Sequence, residues 1–273
     1  MYVVAIAELG TPVEAEAAAL AGDLASTAYE QRLNLVAGLP AIVLATPDLE
    51  RARALLRRLR ARGHGAVAFD AAAIVGSGAM VPLRRCHLEP GGFAAEAPTS
   101  LGVPGAPGAI TARLPFDDIL ALIRAIHRRR VETTVDVNER KFGLGRAVAT
   151  GGLMLRKTVT REETRVTDER DQVLYVYRRS GEPPWLLRER TAGYGWLGDK
   201  LAPSSFQNFV ATVALLRERA PSAVYDERLL APRKPLLFAA GAKDGSSTEP
   251  TSDLLAHLLA LWFSRSSAGG GAP

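Results

Sequence analysis

Tyr2-Val3-Val4-Ala5-Ile6-Ala7-Glu8-Leu9-Gly10-Thr11-Pro12-Val13-Glu14 decides the fold at the start of this 273-residue chain. The apolar, β-branched run from Tyr2 to Ala7 ends at Gly10 and reads as a buried strand. Thr11, Pro12 and Glu14 then stand as N-cap, first helical residue and the acid three after the cap, which predicts a helix from Pro12 to about Ala25. Thr27 and Glu30 repeat the capping box, and Tyr29, Leu33 and Val36 share one face of a second helix that Gly38 and Pro40 end. Ala41–Ala45 is a second strand, Thr46-Pro47 opens a third helix with the stripe Leu49, Ala52, Leu56 and Leu59, and Ala66–Phe69 is a third strand after Gly63. Residues 1–78 are thus a β-α-α-β-α-β domain, a three-stranded sheet under helices.

The segment Leu35-Val36-Ala37-Gly38-Leu39-Pro40, the helix pattern Ala52-x-x-Leu55-x-x-x-Leu59 and the close Gly63-x-Gly65-Ala66 resemble the C-terminal domain of the ribosomal stalk protein and the related Clp-protease adaptor fold. That resemblance implies a binding module without catalysis. The stalk domain meets elongation factors through lysines of its first long helix. Here the stretch reads Tyr29-Glu30-Gln31-Arg32-Leu33, so factor binding is not implied.

From Met80 onward the pattern changes to a mainly β domain over residues 80–235. Val81–Leu88 reads as a strand, and Ala97–Gly108 as an exposed Pro/Gly loop. Leu114–Ile126 has two readings: Phe116, Ile119, Ile123 and Ile126 suit a helix, whereas Ile119, Ala121, Ile123 and Ala125 alternate as in a strand. Val173–Tyr177 and Trp185–Leu187 are strands around the turn Ser180–Pro184, and Phe206, Phe209, Val213 and Leu216 mark a helix after Pro203. Strands closed by such a helix resemble the pleckstrin-homology-like domains of bacteria. Residues 127–172 are a charged insertion or long hairpin. Residues 239–250 read as a linker, and 251–266 as a terminal helix capped by Ser252. The fold class is therefore α+β.

Composition excludes several classes. One cysteine, Cys86, makes neither an internal disulfide nor a cysteine metal cluster. The N-terminus lacks a signal-peptide pattern and Leu254–Phe263 is too short to span a bilayer, so the expected location is the cytoplasm. His64, His87, His127 and His257 are scattered, and His64 between two glycines reads as a helix-terminating loop residue. Cys86 and His87 are strand neighbours on opposite faces and cannot act on one another. Gly151-x-x-x-x-Arg156-Lys157-Thr158 lacks the glycine before the lysine that a phosphate-wrapping loop needs, and Gly143-Leu144-Gly145 lacks a dinucleotide fingerprint's third glycine. Asp168-Glu169-Arg170-Asp171 reads as a Mg²⁺ ligand set or a solvated loop. The residues thus suggest no catalytic residue, cofactor or metal.

Charge is uneven. Residues 1–95 carry nine basic and nine acidic groups, whereas residues 113–165 carry twelve and seven, the whole net excess of +5. Arg124, Arg128, Arg129, Arg130, Arg140, Lys141, Arg156 and Lys157 are the anion-binding candidates of that segment. The third helix adds Arg51, Arg53, Arg57, Arg58, Arg60 and Arg62, a solvated face or a phosphate contact. In the terminal helix, Leu254, Leu255, Leu258, Leu259, Leu261, Trp262 and Phe263 fill an apolar arc of about 200°. So wide an arc needs a groove on its own domain, a partner chain, a homo-oligomer or a membrane interface. Leu254, Leu255, Leu258, Leu259, Trp262 and Phe263 are accordingly the docking candidates. The first functional reading is a non-enzymatic binding or adaptor protein with a protein partner. The second is a module binding anionic lipid or nucleic-acid phosphate through residues 124–157, and the third an enzyme whose site the sequence hides.

Overall fold

The computed structural model describes residues 1–84, 86–97, 110–142, 156–231 and 247–269 of an α+β protein. Strand β1 (Tyr2–Glu8) is the middle of a three-stranded sheet, flanked antiparallel by β2 (Ala41–Thr46) and β3 (Gly65–Asp70). Alternation splits β1 between two cores. Val4 and Ile6 pack with Ala17 and Leu20 of α1 (Val13–Leu24), Leu35 of α2 (Ala28–Val36) and Ala52, Leu55 and Leu59 of α3 (Leu49–Ala61). Val3, Ala5 and Ala7 join Val67 and Phe69 in a core on the opposite face. The run from Val3 to Ala7 is apolar throughout because both of its faces are covered.

A second sheet has the order β11 (Val224–Leu229), β8 (Ile119–Phe142), β9 (Arg156–Arg178), β10 (Trp185–Arg188), β4 (Val81–Pro82). A third, antiparallel, joins β5 (Cys86–Glu89), β6 (Gly92–Ala97) and β7 (Ile110–Pro115). On one face of the second sheet, Leu122, Leu174, Val176, Trp185 and Leu187 pack with Phe93 and Leu114 of the third sheet and with Phe209, Val213 and Leu216 of α4 (Ser205–Arg219). The other face presents Ala121, Ile123, Ala125, Val173, Tyr175, Tyr177 and Leu186 to the core that also holds Val3, Ala5 and Phe69.

Between the first two sheets lies α5 (Glu249–Gly269), whose Leu254, Leu255, Ala256, Leu258, Leu259, Ala260 and Phe263 complete that shared core. Its wide apolar arc is thus explained by cover on two sides, and each buried leucine contributes about 1.5–3 kcal/mol. Gly65 of β3 permits the approach: a Cβ there would stand 2.7 Å from the Trp262 ring. Of the alternatives for this helix, the groove on its own chain is the one realised.

Residues 1–78 thus keep one core of their own, between the first sheet and α1–α3, and share the core on the sheet's other face with α5 and the second sheet. One compact unit comprises Met1–His127 and Arg170–Pro273, and a second comprises Arg128–Glu169, built on the remaining lengths of β8 and β9.

Several local expectations are corrected. Pro12, not Thr11, holds the N-cap position of α1, and no side chain caps that helix. Asp48 caps α3 by accepting from Arg51 N–H, while Thr46 accepts from Asp48 N–H. Thr27 and Glu30 do form the expected reciprocal box. Of the two readings of residues 114–126 the strand is the one realised, in β7 up to Pro115 and in β8 from Ile119, with Asp118 at the turn between them accepting from Arg178 and Ser180. α5 starts at Glu249, whose N–H donates to Ser247 Oγ, so Ser252 is buried inside the helix instead of capping it. Tyr29, Leu33 and Val36 point outward from α2, and Phe206 outward from α4. The loop expected over residues 97–108 and the glycine motifs beginning at Gly143 and Gly151 lie mostly or wholly outside the described residues. Among the described residues no helix is long and apolar enough to cross a membrane.

Candidate functional site

Four buried polar side chains from distant parts of the chain meet at the N-terminal end of α5. A 3-10 turn, Ser77–Ala79, lies between β3 and β4 and carries Ser77; Asp253 comes from the second turn of α5, Tyr175 from β9 and His127 from β8. Ser77 donates to Asp253 twice, from its hydroxyl to Oδ1 at 2.5 Å and from its N–H to Oδ2 at 2.7 Å. The Tyr175 hydroxyl donates to Asp253 Oδ1 at 2.7 Å. With its proton so used, the phenol oxygen accepts from His127 Nε2, 2.6 Å away. That fixes His127 as the Nε2–H tautomer and turns its Nδ1 lone pair toward Arg188 Nη1, at 3.4 Å.

Burial governs the protonation states. It pushes the His127 pKa down to about 3, helped by Arg188, so the ring is neutral near pH 7. Burial likewise raises the Asp253 carboxyl, against the lowering effect of its bonds from Ser77 and Tyr175. The Tyr175 phenol is raised well above its ordinary value by burial and by the neighbouring Asp253. Proton donation is unidirectional: Arg188 to His127, His127 to Tyr175, and both Tyr175 and Ser77 to Asp253.

Arg188 carries the network outward. Its Nη2 donates to Glu249 Oε1 at 2.7 Å, and its Nη1 stands 3.8 Å from Asp171 Oδ2. Beside it opens a cavity of about 460 Å³, lined by Ser77, Gly78, Met80, Pro82, Arg84, Asp171, Leu186, Arg188 and Thr191. This size is in the range of small-molecule sites. Arg84 stands on its exposed rim, tied down by its backbone, whose N–H donates to Pro82 and whose carbonyl accepts from Gly193. Among the described residues no acidic side chain pairs with the Arg84 guanidinium.

A second polar cluster joins α1 to the loop after α3. His64 is fully buried, accepting from Gly10 N–H at Nδ1 (3.0 Å) and donating from Nε2 to Glu16 (2.5 Å). Arg62 grips Glu16 with two bonds of 2.7 and 2.8 Å and Asp23 with one of 2.9 Å, and Arg58 takes Asp23 as well. These contacts clasp α1 to the end of α3, so two arginines of the Arg-rich face hold the fold rather than await a phosphate. His64 does sit in the loop that ends α3, as expected, and its buried ring ties that loop to α1.

The sequence-derived candidates are dispersed. Arg124 is half-buried, donating to Gln172 and Glu227 and lying over the Phe209 ring. Arg128 is half-buried and Arg129 and Arg130 exposed, while the side chains of Arg140, Lys141, Arg156 and Lys157 lie outside the described residues. Leu254, Leu255, Leu258, Leu259 and Phe263 are buried and Trp262 is half-buried, all within the shared core. Cys86 is buried, its thiol pushed up to about 12 by desolvation, and His87 faces out.

Two signals for the network were present in the sequence. His127 continues the inward alternation Ala121, Ile123, Ala125, and Tyr175 and Tyr177 occupy inward positions of β9. Polar residues at core positions need partners. What no pattern disclosed was that Asp253 and Ser77 supply them. No family model, curated protein or solved structure matches the chain.

Proposed function

We propose that this chain is a non-enzymatic binding protein that holds a small polar molecule in the cavity beside Arg188. The observation that carries the reading is the convergence of Arg84, Asp171, Arg188, Thr191 and Ser77 on one concavity backed by a rigid, proton-ordered network. The network behind the cavity satisfies its hydrogen bonds within the protein, Ser77 donating to Asp253 and His127 to Tyr175, which suits a wall that holds a ligand in place. A blocking variant tests the site. A Cβ at Gly78 would meet no atom within 4 Å, so Gly78→Phe should fill the cavity and leave the fold intact. In a thermal-shift screen of small polar metabolites, a ligand at a hundred times its Kd stabilises by about 2.7 kcal/mol. That shift should appear with the wild type and vanish with Gly78→Phe. A ligand that stabilises both proteins equally binds elsewhere.

A second reading, an adaptor acting through a protein partner, is favoured by the outer face of α2, where Tyr29, Leu33 and Val36 are 67%, 51% and 62% exposed. Three large apolar side chains at i, i+4 and i+7 form a patch of the kind that partner proteins cover. Capture from the native host by wild type but not by Leu33→Asp/Val36→Asp, at both low and high salt, is the expected result. Loss of capture at high salt alone points instead to the basic segment.

A further inference from the structure

The cavity is lined by charges of both signs, and their commitments are unequal. Arg188 is engaged: Glu249 takes its Nη2 at 2.7 Å and the His127 lone pair faces its Nη1 at 3.4 Å. Arg84 is the guanidinium left for an incoming anion, since no acidic side chain pairs with it among the described residues. Asp171 is in the converse position. Its Oδ1 accepts from Arg190 N–H at 3.3 Å, and its Oδ2 lies 3.8 Å from the nearest guanidinium nitrogen of Arg188, beyond hydrogen-bond reach. Its side chain is only 19% exposed, so water compensates it incompletely, and burial raises its pKa accordingly. Among the described residues the carboxylate is thus held by one long backbone bond and by the charges of Arg188 and Arg190, and its Oδ2 has room for a closer donor. Met80, Pro82 and Leu186 supply the apolar part of the lining, and Thr191 brings a hydroxyl, donor and acceptor.

A plain anion entering here would meet Arg84 but stand beside Asp171. A plain cation would meet Asp171 but face two guanidiniums. A molecule with both signs satisfies each pole. Building on the cavity reading above, we infer that the ligand is a small zwitterion of the amino-acid type, its carboxylate on Arg84, its ammonium on Asp171 and its side chain against Met80, Pro82 and Leu186.

Equilibrium dialysis of the full chain against each of the protein amino acids tests this. Each amino acid is paired with its carboxylate-only (des-amino) and amine-only (decarboxylated) analogues. At least one amino acid should bind, with both analogues at least tenfold weaker. Arg84→Ala, a change at an exposed side chain, should weaken the amino acid at least tenfold while leaving Tm unchanged. Asp171→Asn should weaken the amino acid and strengthen its des-amino analogue, a reversal that loss of structure cannot produce. If the des-amino analogue binds the wild type as well as the amino acid does, the zwitterion idea is overturned. Binding of sugars or phosphates at the cavity with no amino acid bound overturns the ligand class and leaves the cavity reading standing. No binding by any small polar probe overturns both.

Discussion

Helices α2 and α5 both carry apolar residues at helical spacing, and only α5 buries them. In α2 the stripe Tyr29, Leu33, Val36 has helical spacing and the width of an ordinary core face, yet all three residues are exposed while Leu35 alone is buried. In α5 the apolar arc is more than three times as wide, and two sheets cover it. Periodicity states which residues share a face; it does not state what stands opposite that face. Arc width carries the additional information. A helix apolar over about 200° has no orientation that leaves only polar groups in water, so it must be enclosed. A narrow stripe on a nine-residue helix can be left outside when Leu35 and the Asn34 bond to the Ile42 carbonyl already dock the helix.

The comparison predicts its largest effect for removal of α5. A chain ending at Ala239 uncovers the inner faces of two sheets at once, so it should lose cooperative unfolding and aggregate. A monodisperse truncated protein with an unchanged Tm breaks the two-sided account. A finer cut is Leu258→Ala: Leu258 is fully buried, and the cavity left behind should cost about 2–5 kcal/mol in denaturant unfolding.

Acid supplies an intermediate effect, centred on the polar end of α5. His127 has its folded pKa near 3 against an ordinary 6.5, and His257, packed edge-on against Phe69, is lowered too. A base depressed in this way binds fewer protons folded than unfolded. Its stabilisation is complete above pH 6.5 and is lost as pH falls toward 3. By pH 4.5 His127 alone should have cost about 3 kcal/mol. Asp253 acts in the opposite sense, since its raised carboxyl loses stability as pH rises from 3.8 to its folded value. Unfolding titrations followed by tryptophan fluorescence should therefore show stability dropping between pH 6.5 and 4.5. His127→Gln should flatten that slope; an unchanged slope would place the titration elsewhere.

Legibility followed the locality of the cause. Sheet, helix and turn positions of residues 1–70 were readable because capping, alternation and glycine stops act within a few residues, as at Thr27–Glu30 and in Val3–Ala7. The α+β class followed from those elements. The domain boundary was not readable, because α5 lies some 180 residues beyond the sheet it covers, and separation along the chain gives no sign of that packing. The site was unreadable for the same reason. Ser77 and Asp253 are 176 residues apart, and each alone looks like a turn serine and an acid near a helix start. His64 lies in the turn that its glycine neighbours indicate, but nothing local shows that the ring points inward to Glu16.

The smallest expected effect is the sharpest use of the comparison. Replacing Leu33 and Val36 with Asp in α2 puts charges where water already reaches, on side chains whose apolar area is largely unburied. No core contact is lost, no cavity forms and the Thr27–Glu30 box is untouched. Asp has a lower helix propensity than Leu, at a cost of a few tenths of a kcal/mol per position. The double variant should therefore stay within about 1 kcal/mol of wild type in urea unfolding, with the same m-value, whereas one leucine of α5 costs several times as much. A loss near that of Leu258→Ala would mean that the α2 stripe is covered in solution, by a second copy of the chain. Sedimentation of the wild type at rising concentration would then show self-association that the double variant lacks.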